Sequence, residues 1–135
     1  MLSVRICIDV DDLDRAIAFF TDGLGLQIGR RFDAQWVEVL GASSPIDLLA
    51  NPSGSPAVEG SNLVRDYARH WTSVHLDFLV TDVEAAVKRA VAAGAVLERA
   101  IRDQPYGRIA SLADPFGNGL CLIQMTERGY DALLA

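Results

Sequence analysis

The feature that most constrains the fold is an internal repeat with a period of about seventy residues. Val4–Val10 (VRICIDV) carries an aliphatic residue at every second position, the period of a strand. Asp11, Asp12 and Asp14 follow at once. Leu13, Ile17, Phe20 and Leu24 then recur at spacings of four, three and four, one face of a helix. The same order returns in the second half. Val74–Val80 (VHLDFLV) is the strand, Thr81–Glu84 starts the helix, and Val83, Val87 and Ala90 form the apolar stripe. Thr81 with Glu84 reads as a capping box, and Asp11 with Asp14 places similar chemistry at the equivalent positions. Gly25 and Gly94 stand where each helix is expected to end.

Each helix is followed by three shorter strand-like runs. In the first half these are Gln27–Phe32, Gln35–Leu40 and Ile46–Ala50; in the second they are Val96–Asp103, Arg108–Ala113 and Gly119–Met125. Asp114–Asn118 (DPFGN), before the last of them, is a strong turn signal. Residues 51–61 are rich in Pro, Gly and Ser and read as a loop, and Asn62–Trp71 adds a short helical turn. The chain therefore reads as α+β, one domain built from two tandem βαβββ modules. Module 1 spans about 3–52, a linker about 53–72, module 2 about 73–126, and a tail with helical character 127–135.

Composition narrows the function classes. At 135 residues the chain can bury a core without staples. Its formal charge of −6 repels phosphate backbones, so no nucleic-acid partner is expected. No run approaches the apolar length of a membrane span, so no membrane partner is expected. The first twelve residues, with Asp9, Asp11 and Asp12, lack the pattern of a signal peptide. Two distant cysteines make no disulfide framework, and a cytoplasmic, reduced setting is the default expectation.

Strand alternation sorts the first strand of each module onto two faces. Val4, Ile6, Ile8 and Val10 pack on the helix, while Arg5, Cys7 and Asp9 point the other way. In the repeat, Val74, Leu76, Phe78 and Val80 pack, while His75, Asp77 and Leu79 point the other way. The same pattern suits a solvated sheet face.

The module order, occurring twice, together with the DPFGN turn before the last strand, resembles the glyoxalase, bleomycin-resistance and dioxygenase (vicinal oxygen chelate) superfamily. The resemblance covers roughly residues 3 to 126. It implies curved mixed sheets with helices outside and a central cavity inside, but leaves the reaction open because the scaffold hosts several chemistries. In metal-dependent relatives the ligands come from the start of each module's first strand and from its last strand. Those positions fall here on Arg5, His75, Asp47 and Cys121. His75 alone matches the usual pattern; Asp47 shortens a Glu, and Arg5 and Cys121 depart from it. A guanidinium has no lone pair to donate and repels a divalent cation, so no metal and no other cofactor is expected.

Each of these residues has a sharp and a bland reading. Arg5 captures an anionic ligand group, or it pairs with Asp47, Asp77 or Asp9. His75 takes part in hydrogen bonding or acid–base work, or it is satisfied by a carboxylate. Cys121 is a nucleophile beside His75, or a small apolar strand residue. Tyr106, in a Pro- and Gly-flanked loop, is expected at a ligand rim with Arg108 assisting. Trp36 is expected in the core, Trp71 either stacks on a ligand or fills core, and His70 is expected to be merely solvated. The leading expectation is metal-independent binding of a small apolar or aromatic, possibly anionic, ligand by a homodimer. Arg5, Asp47, His75, Asp77, Tyr106, Arg108 and Cys121 would line its site. The rival is a lyase, isomerase or dioxygenase of the same superfamily, metal-dependent through His75 or metal-free by acid–base catalysis, with His75 and Cys121 as its candidate catalytic residues. A third reading is a non-catalytic scaffold or regulatory module.

Overall fold

The computed structural model describes residues 1–134 and divides the chain into two compact units, Met1–Ala68 and Arg69–Ala135. The first unit contains β1 (Ile6–Val10), α1 (Leu13–Ala18), a π-helical turn (Phe19–Gly23), β2 (Gln27–Asp33), β3 (Trp36–Leu40) and β4 (Ile46–Ala50). The second contains β5 (Leu76–Leu79), α2 (Val83–Ala92), β6 (Val96–Gln104), β7 (Gly107–Ala113), β8 (Gly119–Met125) and a 3₁₀ turn (Gly129–Leu133). Each unit holds one open four-stranded mixed sheet. The strand orders are β1-β4-β3-β2 and β5-β8-β7-β6, with the first strand parallel to the last in each. The α+β reading and the duplicated order of elements are therefore correct. No described helix is long and apolar enough to cross a membrane.

The helices start one residue away from the expected caps. Asp12 and Asp82, both extended, cap α1 and α2 by accepting from the Arg15 and Ala85 amides at 3.0 and 3.1 Å. Glu84 does not close the expected capping box; its carboxylate instead meets Arg108 at 2.8 Å. Along α2 the stripe is as expected, with Val83, Val87 and Ala90 buried. Along α1 it is not. After Ala18 the helix widens into the π turn, where the Thr21 hydroxyl donates back to the Ile17 carbonyl at 2.8 Å. The widening rotates the buried face to Leu13, Ala16, Phe19 and Phe20 and leaves Ile17 and Leu24 only half-buried. Phe19 and Phe20 meet edge to face at 5.5 Å. Each such buried ring contributes about 1.5–3 kcal/mol by leaving water.

In the first unit, register puts Val37 and Val39 beside Leu48 and Ile46, and Ile6 and Ile8 beside the same pair. This is the helix-covered face. In the second, Leu112 faces Leu120 and Ala110 faces Leu122. Gln124, of the same parity, reaches α2 by accepting from the Val83 amide at 3.0 Å.

The segment expected to be a linker is tied down. Residues 54–65 fold back on themselves, with Gly54 N to Arg65 O and Arg65 N to Ser55 O both at 2.8 Å. Residues 70–71 belong to the second unit, where His70 pairs its backbone with Gly117 and Gly119 at 2.9 Å. The helical turn expected over 62–71 is absent; Val64 and His70 form isolated bridges instead, to Pro56 and Asn118.

Candidate functional site

Opposite the helix, each unit presents a second sheet face. In the first unit, cross-strand register aligns Cys7, Asp47 and Glu38, and two-residue parity adds Arg5 and Trp36. Arg5 grips Asp47 in a fork, Nε to Oδ2 at 2.9 Å and Nη2 to Oδ1 at 2.7 Å, and reaches Glu38 at 2.7 Å. Arg30 closes on Glu38 from the other side, with Nη2 to Oε2 at 2.7 Å. Both carboxylates are almost wholly buried, at 3% and 2% exposure for Glu38 and Asp47, and each needs that compensation. The Arg30 and Arg5 guanidiniums hold the Glu38 carboxyl down to about 2. The Arg5 fork holds Asp47 below the usual carboxylate range, although burial pushes it up.

Of the partners expected for Arg5, Asp47 is the one it has. Asp9 pairs with Arg65 at 2.6 Å, and Asp77 lies in the second unit against His75. Glu38 was not anticipated. Its signal was a lone acid alternating with Val37 and Val39 in a strand, which parity places beside Asp47. Trp36 is not core. It is 38% exposed, stacks on Phe32 at 4.2 Å and donates Nε1 to Asp47 Oδ1 at 3.2 Å.

Groups with depressed folded pKa contribute stability above their unfolded values, and that contribution is lost as pH falls through the folded ones. Unfolded Glu and Asp titrate near 4.3 and 3.9. The urea midpoint of the first unit is therefore expected to fall between about pH 4.5 and pH 2. Glu38→Gln is expected to flatten that decline, measured by Trp36 fluorescence in a Trp71→Phe background.

The second unit's helix-free face is built differently. Register places Asp77 by Cys121, Leu79 by Ile123, Ile109 by Ile123 and Ser111 by Cys121. Ile109, Cys121 and Ile123 form a buried apolar floor, against which Trp71, Tyr106 and Met125 pack while half-buried. His75 Nε2 lies 3.3 Å from Asp77 Oδ1, so the histidine has a carboxylate neighbour. Donor atoms of His75, Asp77 and Cys121 all lie within 4.8 Å of one another. Burial pushes the Cys121 thiol up, which disfavours a thiolate nucleophile. The Ser111 hydroxyl lies 3.8 Å from its sulfur.

The aromatics ring this floor. Tyr106 packs with Tyr130, from the 3₁₀ turn, at 5.1 Å; Trp71 meets the His75 ring edge to face at 5.3 Å. Trp71 lies directly on Gly119, donates Nε1 to Glu98 at 2.9 Å and is covered by Arg69 at 4.7 Å. Tyr106, from the loop between β6 and β7, packs at the edge of this floor. Arg108 does not. It shares parity with Ala110 and Leu112 and pairs with Glu84 of α2 and with Asp103 at 3.5 Å. His70 is not merely solvated, since its Nε2 lies 2.9 Å from Asn118 Oδ1. That pairing helps hold the DPFGN turn, where Asp114 accepts from the Phe116 and Asn118 amides at 2.7 and 2.9 Å.

Of the positions that ligate metal in the resembled superfamily, Arg5 and Asp47 lie in the first unit. Arg5 cannot donate, and it occupies both oxygens of Asp47. His75 and Cys121 lie in the second unit, grouped with Asp77.

Comparison with known proteins places the chain. The model of the family described as Glyoxalase-like domain matches residues 5–123, so this chain belongs to that family. It is 30% identical over 122 residues, 87% of its length, to the anthracycline biosynthesis protein DauV of Streptomyces sp. (strain C5). It spans well under half the length of the relatives it matches, 39% in the case of DauV. Among solved structures, it is similar to a glyoxalase-related enzyme from Fulvimarina pelagi, with TM-score 0.73 and 20% identity; the match covers 92% of this chain and 87% of that one. It is also similar to TnmS3, an antibiotic binding protein from Streptomyces sp. CB03234, with TM-score 0.65 and 22% identity, covering 93% and 97% of the two chains. These structural likenesses carry the fold.

Proposed function

We propose that the chain binds a small planar aromatic ligand, without a metal, on the helix-free face of its second unit. The observation that carries this reading is the floor of Ile109, Cys121 and Ile123 edged by Tyr106, Tyr130, Trp71 and Met125. An apolar floor with aromatic edges and a few polar groups is how sites for such ligands are built. His75 and Asp77 supply those polar groups at one edge. The names of the relatives point the same way, since one relative is an anthracycline biosynthesis protein and one structural neighbour an antibiotic binding protein.

The test is a titration with a neutral planar probe, anthraquinone-2-carboxamide, followed by quenching of tryptophan fluorescence. Saturable binding is expected, weakened about 10-fold in Tyr106→Ala, the equivalent of ~1.4 kcal/mol for one lost aromatic contact. Absence of saturable binding by the wild type would sink the proposal. The close grouping of His75, Asp77 and Cys121 favours one other reading, an enzyme of the same superfamily. Metal content of the never-chelated sample used in the titration separates the two. Stoichiometric metal that His75→Ala loses would favour the enzyme.

A further inference from the structure

The same face carries a cation that the sequence did not single out. Arg102, on β6, is paired with Ile109 across the β6–β7 ladder, so its side chain shares the face of the floor. It is half-buried, and no carboxylate lies within ion-pair distance of it among the described residues. Its guanidinium donates only to neutral oxygens, the Ile109 carbonyl at 3.4 Å and the Ser111 hydroxyl at 3.3 Å. Both contacts are long for an arginine, and its Nε is buried with no acceptor at all.

The acids that could neutralise Arg102 are engaged elsewhere. Asp103, next in sequence, lies on the opposite face with Arg108. Glu98 is held by Arg69 and Trp71, and Asp77 by His75. Burying part of a cation without a partner is costly, and a guanidinium's five donors in a fixed fork suit a carboxylate. Arg5 offers the contrast, because its Nε and Nη2 are already taken by two carboxylates, Asp47 and Glu38.

We infer that Arg102 is the anion-binding residue of this face, and that the ligand is a planar aromatic carboxylate whose carboxylate meets Arg102 and the Ser111 hydroxyl. This rests on the aromatic-binding reading above and adds the charge of the ligand to it. The floor holds the ring system, and Arg102 fixes its orientation.

The test compares anthraquinone-2-carboxylate with anthraquinone-2-carboxamide, which share a shape and differ in charge. The wild type is expected to bind the carboxylate about 10- to 100-fold more tightly, the range of a hydrogen-bonded charge pair. Arg102→Met is expected to erase that preference by lowering affinity for the carboxylate far more than affinity for the carboxamide, and Arg102→Lys to retain part of it. Arg102→Gln, which keeps a donor for Ser111, replaces the methionine variant if that one does not fold. Equal affinities in the wild type, or a preference that survives loss of the charge, would overturn the assignment to Arg102 while leaving the aromatic reading in place. Failure of both probes to bind would overturn both.

Discussion

Gly119→Ala is expected to move Trp71 off the sheet and remove one wall of the aromatic face. A Cβ at position 119 would overlap the indole ring directly, at Cδ2 and Cε3. The ring cannot slide inward, because β8 lies beneath it, and Arg69 covers it. It must swing away, losing its hydrogen bond to Glu98 and its edge contact with His75. Overpacking of this kind costs about 1–3 kcal/mol. In a Trp36→Phe background, where Trp71 is the sole indole, the emission is expected to shift to the red and affinity for anthraquinone-2-carboxamide to fall about 10-fold. Unchanged emission with unchanged affinity would mean that Trp71 neither rests on Gly119 nor contributes to binding.

Gly107→Ala is expected to be the more damaging change to stability. Gly107 begins β7 opposite Met125 with φ +150°, a backbone conformation that side chains with a Cβ rarely adopt. A Cβ there would overlap the Gln124 carbonyl oxygen and stand 2.9 Å from the Met125 Cα, both backbone atoms that a rotamer change cannot relieve. Strain of about 1–3 kcal/mol adds to overpacking of similar size. A loss of about 3 kcal/mol or more follows, on the order of 10 °C or more in Tm for a unit of this size. The damage would fall on the site as well. The Thr126 amide donates to the Tyr106 carbonyl at 2.8 Å at this same strand end, and the turn carrying Tyr130 follows it. Thermal unfolding of the variant measures the effect; a Tm within a few degrees of wild type would show that the strand end yields easily.

What was legible in the sequence is what local chemistry dictates. The duplicated βαβββ order follows from alternation, helical spacing and turn residues, and it recurs in both units with strand ends displaced by a residue or two. Strand parity also separated Arg5, Cys7 and Asp9 from the packing residues, and His75 and Asp77 likewise, because a two-residue period needs no partner strand to be read. The π turn was not legible. Phe19, Phe20 and Leu24 fit an unbroken helix, and only packing against the sheet made the wider turn the better burial.

The sites divide along the same line. Sequence by itself determined the family's architecture. Tertiary structure decided which charges meet. Glu38 joined Arg5 because three strands align at one level, and Trp36 left the expected core because its indole found Asp47. Arg108 crossed to the helix side by parity, and Arg102 emerged as a half-buried cation with no acid in ion-pair reach among the described residues. These outcomes depend on register between strands far apart in sequence. One residue of slip inverts every face, and no local propensity encodes that choice.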